Sequence, residues 1–242
     1  MTTPCERCPL RKLDAFRSFS GAELEFMQRF KVGELKVEAG TPILMEGSNA
    51  PQLYTALRGM GVRYKLTEAG ERQVINLVFP GDFLGLQAGI MREMGHSVEA
   101  TTAMTLCVFD RKTFWNLFRD QPERGFDITW LAAMEEHFLG ETLVTLGQRD
   151  ALGAVAWALV RIAQRGQALG LFDGRQMEFP FRQQDLADAL GLSLVHTNKT
   201  LRKLRERQLA AWSDGLLRIG DMEKLCEIAG VEPGPPPQRP LI

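Results

Sequence analysis

Nothing in this sequence approaches the 18 or more consecutive apolar residues that a membrane-spanning helix needs, and its start, MTTPCERCPLRK, lacks the apolar core of a secretory leader. The expectation is a cytoplasmic protein with no membrane partner. Histidine is scarce: His96, His137 and His196 fall in three different stretches, and no Ser/His/Asp set, phosphate loop or H-E-x-x-H occurs. An enzyme therefore finds little support. Four cysteines in 242 residues do not make a disulfide framework in a reducing compartment, so they read as thiols or metal ligands. An excess of one charge is missing too, since 29 Lys+Arg meet 30 Asp+Glu. The near-neutral total hides an asymmetry. Residues 1–148 carry 16 basic against 19 acidic side chains and residues 149–242 carry 13 against 11, so the halves are −3 and +2, with the basicity concentrated after Lys199.

What the chain does have is an apolar content of 45%, enough for two modest domains with a core each. Its most informative stretch is FRQQDLADALGLSLVHTNKTLRKLRER, from Phe181 to Arg207. Leu186, Ala187 and Leu190 recur at helical spacing, Gly191 supplies the positive φ of a sharp turn, and Ser193 caps a second helix. On that second helix Thr197, Thr200, Leu201 and Leu204 fall to one side, whereas Val195, His196, Asn198, Lys199, Arg202 and Lys203 point elsewhere. A helix-turn-helix needs a small residue at the crossing, a turn glycine, and a second helix whose first residues reach base edges. Ala187, Gly191 and Leu194 to Lys199 fit those places. Arg205 and Arg207 add phosphate-seeking charge.

Elsewhere the chain changes character several times. Ser20 and Glu23 form a capping box ahead of the helix GAELEFMQRF. From Val32 to Phe109, short apolar runs such as LYTALRG, GVRYKL, RQVINLVF and TLCVFD alternate with glycine turns, which predicts an antiparallel barrel or sandwich. A long helix follows from Arg124 to Gly147. Phe126, Trp130, Met134 and Val144 occupy one of its faces and Ile128, Leu131, Phe138, Leu139 and Leu146 a second, and two apolar stripes predict a partner chain over one of them. Another helix, Asp150 to Ala168, precedes the helix pair, and LAAWSDGLLRIGD reads as a two-stranded wing before a last short helix.

This order of parts resembles the Crp/Fnr superfamily of bacterial transcription regulators, most specifically in LYTALRG followed by VINLVFPGDFLGL, and in QQDLADALGLSLVHTNKTLRKL. The resemblance implies an α+β fold: a cyclic-nucleotide-binding-like β-roll sensor, a long dimerisation helix and a C-terminal winged helix-turn-helix. The expected boundaries are an arm over 1–19, the β-roll over 20–121, the dimer helix over 122–148, the winged domain over 149–230, and a Pro-rich tail over 231–242 with no reason to be ordered. It also implies a homodimer on a palindromic double-stranded operator, with RNA polymerase as a further partner. Ser193, Val195, His196, Asn198, Lys199, Arg202 and Lys203 would meet DNA. Where many relatives carry Glu, a small residue and Arg, this chain has Val195, Asn198 and Lys199, so an altered half-site is expected.

Cyclic-nucleotide binders of the superfamily hold the ribose with a Glu and the phosphate with an Arg followed by Ser. Here Leu86 and His96 stand at the first two places, and only Ser97 agrees. Cyclic nucleotide is therefore disfavoured as the effector. Oxygen-sensing relatives similar to the fumarate and nitrate reduction regulator bind a [4Fe–4S] cluster through an N-terminal C-x2-C-x5-C and one β-roll cysteine. Cys5, Cys8 and Cys107 match three of those ligands, and Asp14 fills the place of the missing third N-terminal cysteine. Zinc on the same residues, and free thiols with no ligand, are the alternatives.

Overall fold

The computed structural model describes residues 2–242. They divide into two units, one ending at Met134 and regaining Gln238–Ile242, the other running from Glu135 to Pro237.

In the first unit, two short 3-10 turns, Cys5–Arg7 and Pro9–Lys12, form the arm, and α1 (Gly21–Phe30) begins at the expected capping box. Eight strands follow: β1 (Lys31–Val37), β2 (Pro42–Leu44), β3 (Gln52–Arg58), β4 (Gly61–Leu66), β5 (Arg72–Val78), β6 (Phe83–Leu84), β7 (Ser97–Ala100) and β8 (Met104–Asp110). They pair antiparallel in two sheets, ordered β1-β8-β3-β6 and β2-β7-β4-β5. The predicted β-roll is thus present. A short helix, α2 (Leu86–Met91), interrupts the strands within the segment that carries Leu86 and Ser97, where no helix was expected. Its apolar residues are too few to show a helical period.

Alternation along β3 and β8 decides what lies inside. Tyr54, Ala56, Leu106 and Val108 join Leu44, Val78, Leu84, Val98 and Met104 in a core contributed by both sheets. Side chains on a strand alternate in direction, so Leu53, Thr55, Cys107 and Phe109 point to the opposite, outer face. There α1 supplies cover: Phe109 stacks on Phe30 at 5.0 Å, and Phe30 on Phe26 at 5.6 Å. After β8 come α3 (Phe114–Asp120) and the 27-residue α4 (Pro122–Gln148).

The two expected stripes on α4 are not cleanly separated. Ile128 is buried, while Phe126 and Val144 of one predicted face and Leu139 and Leu146 of the other are exposed, as is Leu143, which belongs to neither. Burial in the first unit takes the start of the helix, where Arg124 and Asp127 are buried with Glu23.

In the second unit, α5 (Ala151–Ala168) is capped by Asp150, whose carboxylate accepts from the Gly153 N–H at 2.8 Å. Two short strands that the sequence hid in a glycine turn, β9 (Phe172–Asp173) and β10 (Gln176–Glu178), precede α6 (Gln183–Leu190) and α7 (Leu194–Glu206). The wing, β11 (Ala210–Ser213) and β12 (Leu216–Ile219), joins them in a sheet ordered β11-β12-β10-β9, and α8 (Met222–Ala229) closes the unit. No described helix is long and apolar enough to cross a membrane.

The tail departs from its expectation. Leu241 and Ile242 are each 4% exposed, and Arg239 bridges Phe16 in parallel. Prolines fix backbone angles without a period, so docking of this kind leaves no trace in the sequence pattern.

Glu23 anchors the start of α1. It accepts from the Ser20 N–H at 2.6 Å and forms an ion pair with Arg124 at 2.8 Å. Burial works to raise its pKa, but the Ser20 and Arg124 contacts outweigh it, and the carboxyl is held below its usual value. A depressed carboxylate contributes stability above its unfolded pKa and loses it as pH falls through the folded one. Glu23→Gln is expected to cost about 1–2 kcal/mol at pH 7 in urea denaturation. The gap between the variant and wild type narrows as pH drops below about 4.3.

Candidate DNA-reading face and thiol site

The helix pair is built as its sequence specified. Arg182 and Asp185 form a box at the start of α6, with the Arg182 N–H donating to Asp185 at 2.8 Å. Ala187 is fully buried, where a larger side chain would hold α7 away. Gly191 takes φ +62°, a conformation that costs an L residue with a Cβ. Ser193 then caps α7 by accepting from the His196 N–H at 3.2 Å.

Along α7 two interleaved sets separate by angle. Thr197, Thr200, Leu201 and Leu204, at i, i+3, i+4 and i+7, are buried. Val195, Asn198, Lys199 and Arg202, with the same spacing displaced by two residues, are exposed, and Val195 is 79% exposed. Ser193, His196 and Lys203 are exposed beside them. The buried threonines return their hydroxyls to the helix, Thr197 to the Ser193 carbonyl at 3.1 Å and Thr200 to that of His196 at 2.9 Å, so their burial leaves no stranded donor. Arg202 reaches Glu206 at 3.0 Å. A hollow of about 410 Å³ at the far end of α7 collects Arg175, Arg205, Arg207, Arg218 and Lys224, with Asp221 as its one acid. Arg175 and Arg218 come from outside the helix pair, and no local sequence signal joined them to it.

The cysteines form a second site on the first unit. Cys107 on β8 is 9% exposed, and Cys5 and Cys8 on the arm are half-buried. Glu34 on β1 is the register partner of Cys107, and Cys107 in turn partners Thr55 on β3, which sets these three side chains in a row on the outer face of the sheet. Lys31 stands among them. Its Nζ donates to Glu34 and to the Thr3 carbonyl, both at 2.7 Å, and the Glu34 carboxylate also accepts from the Thr3 N–H at 2.8 Å. The Cys5 N–H donates to Gln28 of α1 at 2.7 Å. The arm is thereby tied to β1 and α1.

Burial pushes the Cys107 thiol up to about 11, against the pull of the Lys31 ammonium, and raises Cys5 for the same reason. Burial also opposes the charge on Lys31, but Glu34 and the neighbouring thiols outweigh it and raise the pKa of the lysine. Glu34 is lowered: burial is overcome by Lys31 and Thr3. Lys31 and Glu34 are therefore a buried ion pair, in which the ammonium favours the Cys5 and Cys107 thiolates and the carboxylate opposes them.

Asp14, expected as a fourth ligand, is exposed, and its carbonyl accepts from the Gln238 side chain at 2.8 Å. The carboxylate beside the thiols is Glu34, which sequence spacing did not single out because it lies on a strand and not in the arm. Among the described residues no three His, Cys, Asp or Glu side chains are already arranged to hold a metal ion. In the segment that resembles a cyclic-nucleotide cradle, Leu86 is half-buried, and the Ser97 hydroxyl is occupied by the Glu46 N–H at 3.0 Å.

Comparison with known proteins matches a cyclic nucleotide-binding domain over residues 34–121 and a Crp-like helix-turn-helix domain over residues 153–228. The nitrogen fixation regulation protein FixK of Rhizobium meliloti is 30% identical over 77% of this chain and 84% of its own. The transcriptional activator protein FnrL of Cereibacter sphaeroides is 26% identical over 93% of this chain and 92% of its own. The solved structure of FixK2 from Bradyrhizobium japonicum shares the fold, with a TM-score of 0.74 at 21% identity over 83% of this chain and 98% of that one. With both of its domains matched and such a relative spanned for most of its length, the chain belongs to the Crp/Fnr family of DNA-binding transcription regulators, a family of regulators and not of enzymes.

Proposed function

We propose that this regulator works in the cytoplasm as a homodimer, inserting α7 of each protomer into one half of a palindromic operator and acting with RNA polymerase as its partner. The observation that carries the reading is the division of α7 into a buried side made of Thr197, Thr200, Leu201 and Leu204 and an exposed side made of Val195, His196, Asn198, Lys199, Arg202 and Lys203. Near the start of α7, Val195 offers methyl groups suited to a thymine methyl, and Asn198 and Lys199 offer hydrogen bonds to base edges. Arg202 and Lys203 lie further along and suit phosphates, while Ser193 is engaged as the cap. Dimerisation is supported by Phe126, Leu143 and Val144 on α4, which are 65%, 70% and 49% exposed. Apolar side chains left in water along one helix are what a second copy would cover.

The same proposal makes the thiol site the signal input and assigns it an oxygen-labile [4Fe–4S] cluster. Three soft donors, Cys5 and Cys8 on the arm and Cys107 on β8, support the assignment, as does the resemblance to oxygen-sensing relatives. Bound there, the group would supply oxygen-dependent redox chemistry. The chain would supply three thiolates, and Lys31 would offset their negative charge. The donor set fits in its chemistry and is incomplete in number: Asp14 faces solvent, while Glu34 is near the sulfurs and engaged with Lys31. Zinc on the same thiols, or free thiols alone, are the readings that remain if the iron measurement below finds no cluster.

Three outcomes are expected. Lys199→Ala weakens binding to a duplex selected from a random pool by about 10–100-fold, whereas Arg207→Ala weakens all duplexes alike and lowers the salt slope by about one; equal affinity for wild type and Lys199→Ala would remove α7 as the reader. Leu143→Glu shifts the protein to monomer in analytical ultracentrifugation at micromolar concentration. Anaerobically purified protein contains iron and acid-labile sulfide that are lost in Cys107→Ser and on exposure to air. No iron or sulfide after anaerobic reconstitution would leave the regulator and overturn the cluster.

A further inference from the structure

The chain crosses between its two units twice, at Met134–Glu135 within α4 and again at Pro237–Gln238. The second crossing ends in a built seat. The Arg17 N–H donates to the Arg239 carbonyl at 3.0 Å and the Arg239 N–H to the Ala15 carbonyl at 2.9 Å, so the tail pairs with the backbone that joins the arm to α1. Gln238 donates to the Asp14 carbonyl in the same segment. The Arg239 guanidinium meets the buried Asp82 carboxylate at 2.8 Å, and Asp82 is itself held by the Phe79 N–H at 2.9 Å. Leu241 and Ile242 are buried, Arg124 donates to the Leu241 carbonyl at 3.4 Å, and the Thr55 hydroxyl donates to the Ile242 carbonyl.

Thr55 is the register partner of Cys107. The row Glu34, Cys107, Thr55 on the outer sheet face therefore has two covers side by side. The arm with Cys5 and Cys8 lies against Lys31 and Glu34, and the end of the chain lies against Thr55. The covers are joined to each other through Asp14 to Arg17.

We propose that the pentapeptide Gln238–Ile242 is an internal peptide ligand of the first unit, and that its seating locks the cysteine arm over Cys107. Tail release and thiol exposure are then one equilibrium, because groups that share a backbone pairing open together. Since Gln238 continues directly from the unit that contains α7, an event that opens the thiol site also unseats the anchored end of the second of the two chain segments that pass between the units. Linkage makes the effect reciprocal: whatever restrains the tail protects the thiols. The lock needs no group bound at the cysteines and stands whether or not a cluster is present.

The test compares the full chain with a chain ending at Pro237 and with full-length Arg239→Ala, measuring the rate at which N-ethylmaleimide modifies Cys107 by peptide mass mapping. Truncation is expected to accelerate modification about tenfold or more, and Arg239→Ala by a smaller factor. Adding the free pentapeptide QRPLI at millimolar concentration restores protection of the truncated chain, and a scrambled pentapeptide does not. A loss of packing alone would not be reversed by the one sequence and left by the other. Unchanged rates in both variants, or equal effects of the two peptides, would overturn the lock. If the truncated chain does not fold, Arg239→Ala decides: wild-type reactivity of Cys107 in that variant also overturns it. The relay to DNA is read separately, as the affinity for a duplex selected by the full-length protein. An affinity unchanged by truncation would overturn the relay.

Discussion

The outer face of the sheet β1-β8-β3 is the constraint on which much of the first unit depends. Strand alternation that sends Leu106 and Val108 into the core must send Cys107 and Phe109 outward. Phe109 and Leu53 cannot be left in water without forfeiting about 1.5–3 kcal/mol each, so the face needs a cover. Pieces from the two ends of the sequence provide it: α1 through Phe30 and the arm through its bonds to Lys31, Glu34 and Gln28 from the first residues, and Leu241 and Ile242 from the last. Packing thus brings a thiol, a buried ion pair and the C-terminus together.

The tail is held by a narrow balance. Ordering five residues costs on the order of 5–10 kcal/mol. Burying Leu241 and Ile242 returns roughly 3–6 kcal/mol, and the five hydrogen bonds with one charge-assisted pair add on the order of 5 kcal/mol. The terms nearly cancel, so the seat is stable only while its parts act together. The buried pair of Lys31 and Glu34 is of another kind. Its charges have been taken out of water, and each partner is required by the other, which fixes the arm more firmly than an exposed ion pair such as Arg29 with Glu25.

Much of the second unit was legible because its signals are local. The cap at Ser193, the turn at Gly191 and the i, i+3, i+4, i+7 spacing of Thr197, Thr200, Leu201 and Leu204 lie within one stretch and have the same physical cause in the sequence as in the fold. The same is true of the capping box at Ser20 and Glu23 and of the wing turn at Ser213 to Gly215. The short strands β9 and β10 escaped because two or three residues are too few to show an alternation. The apolar stripes of α4 were legible as composition. Which residues on them are covered was not, because that depends on what packs against each turn.

Sequence alone determined the order of the parts, the helix pair with its basic exposed side and the set of thiols, since helical period, caps and cysteine positions are properties of neighbouring residues. Tertiary structure alone decided what stands beside the thiols. Asp14 is close to Cys5 and Cys8 in sequence yet turns to solvent, whereas Lys31, Glu34 and Ile242 arrive by strand register and by the return of the chain's end. Register and docking arise from burial between distant segments, and no local pattern encodes them.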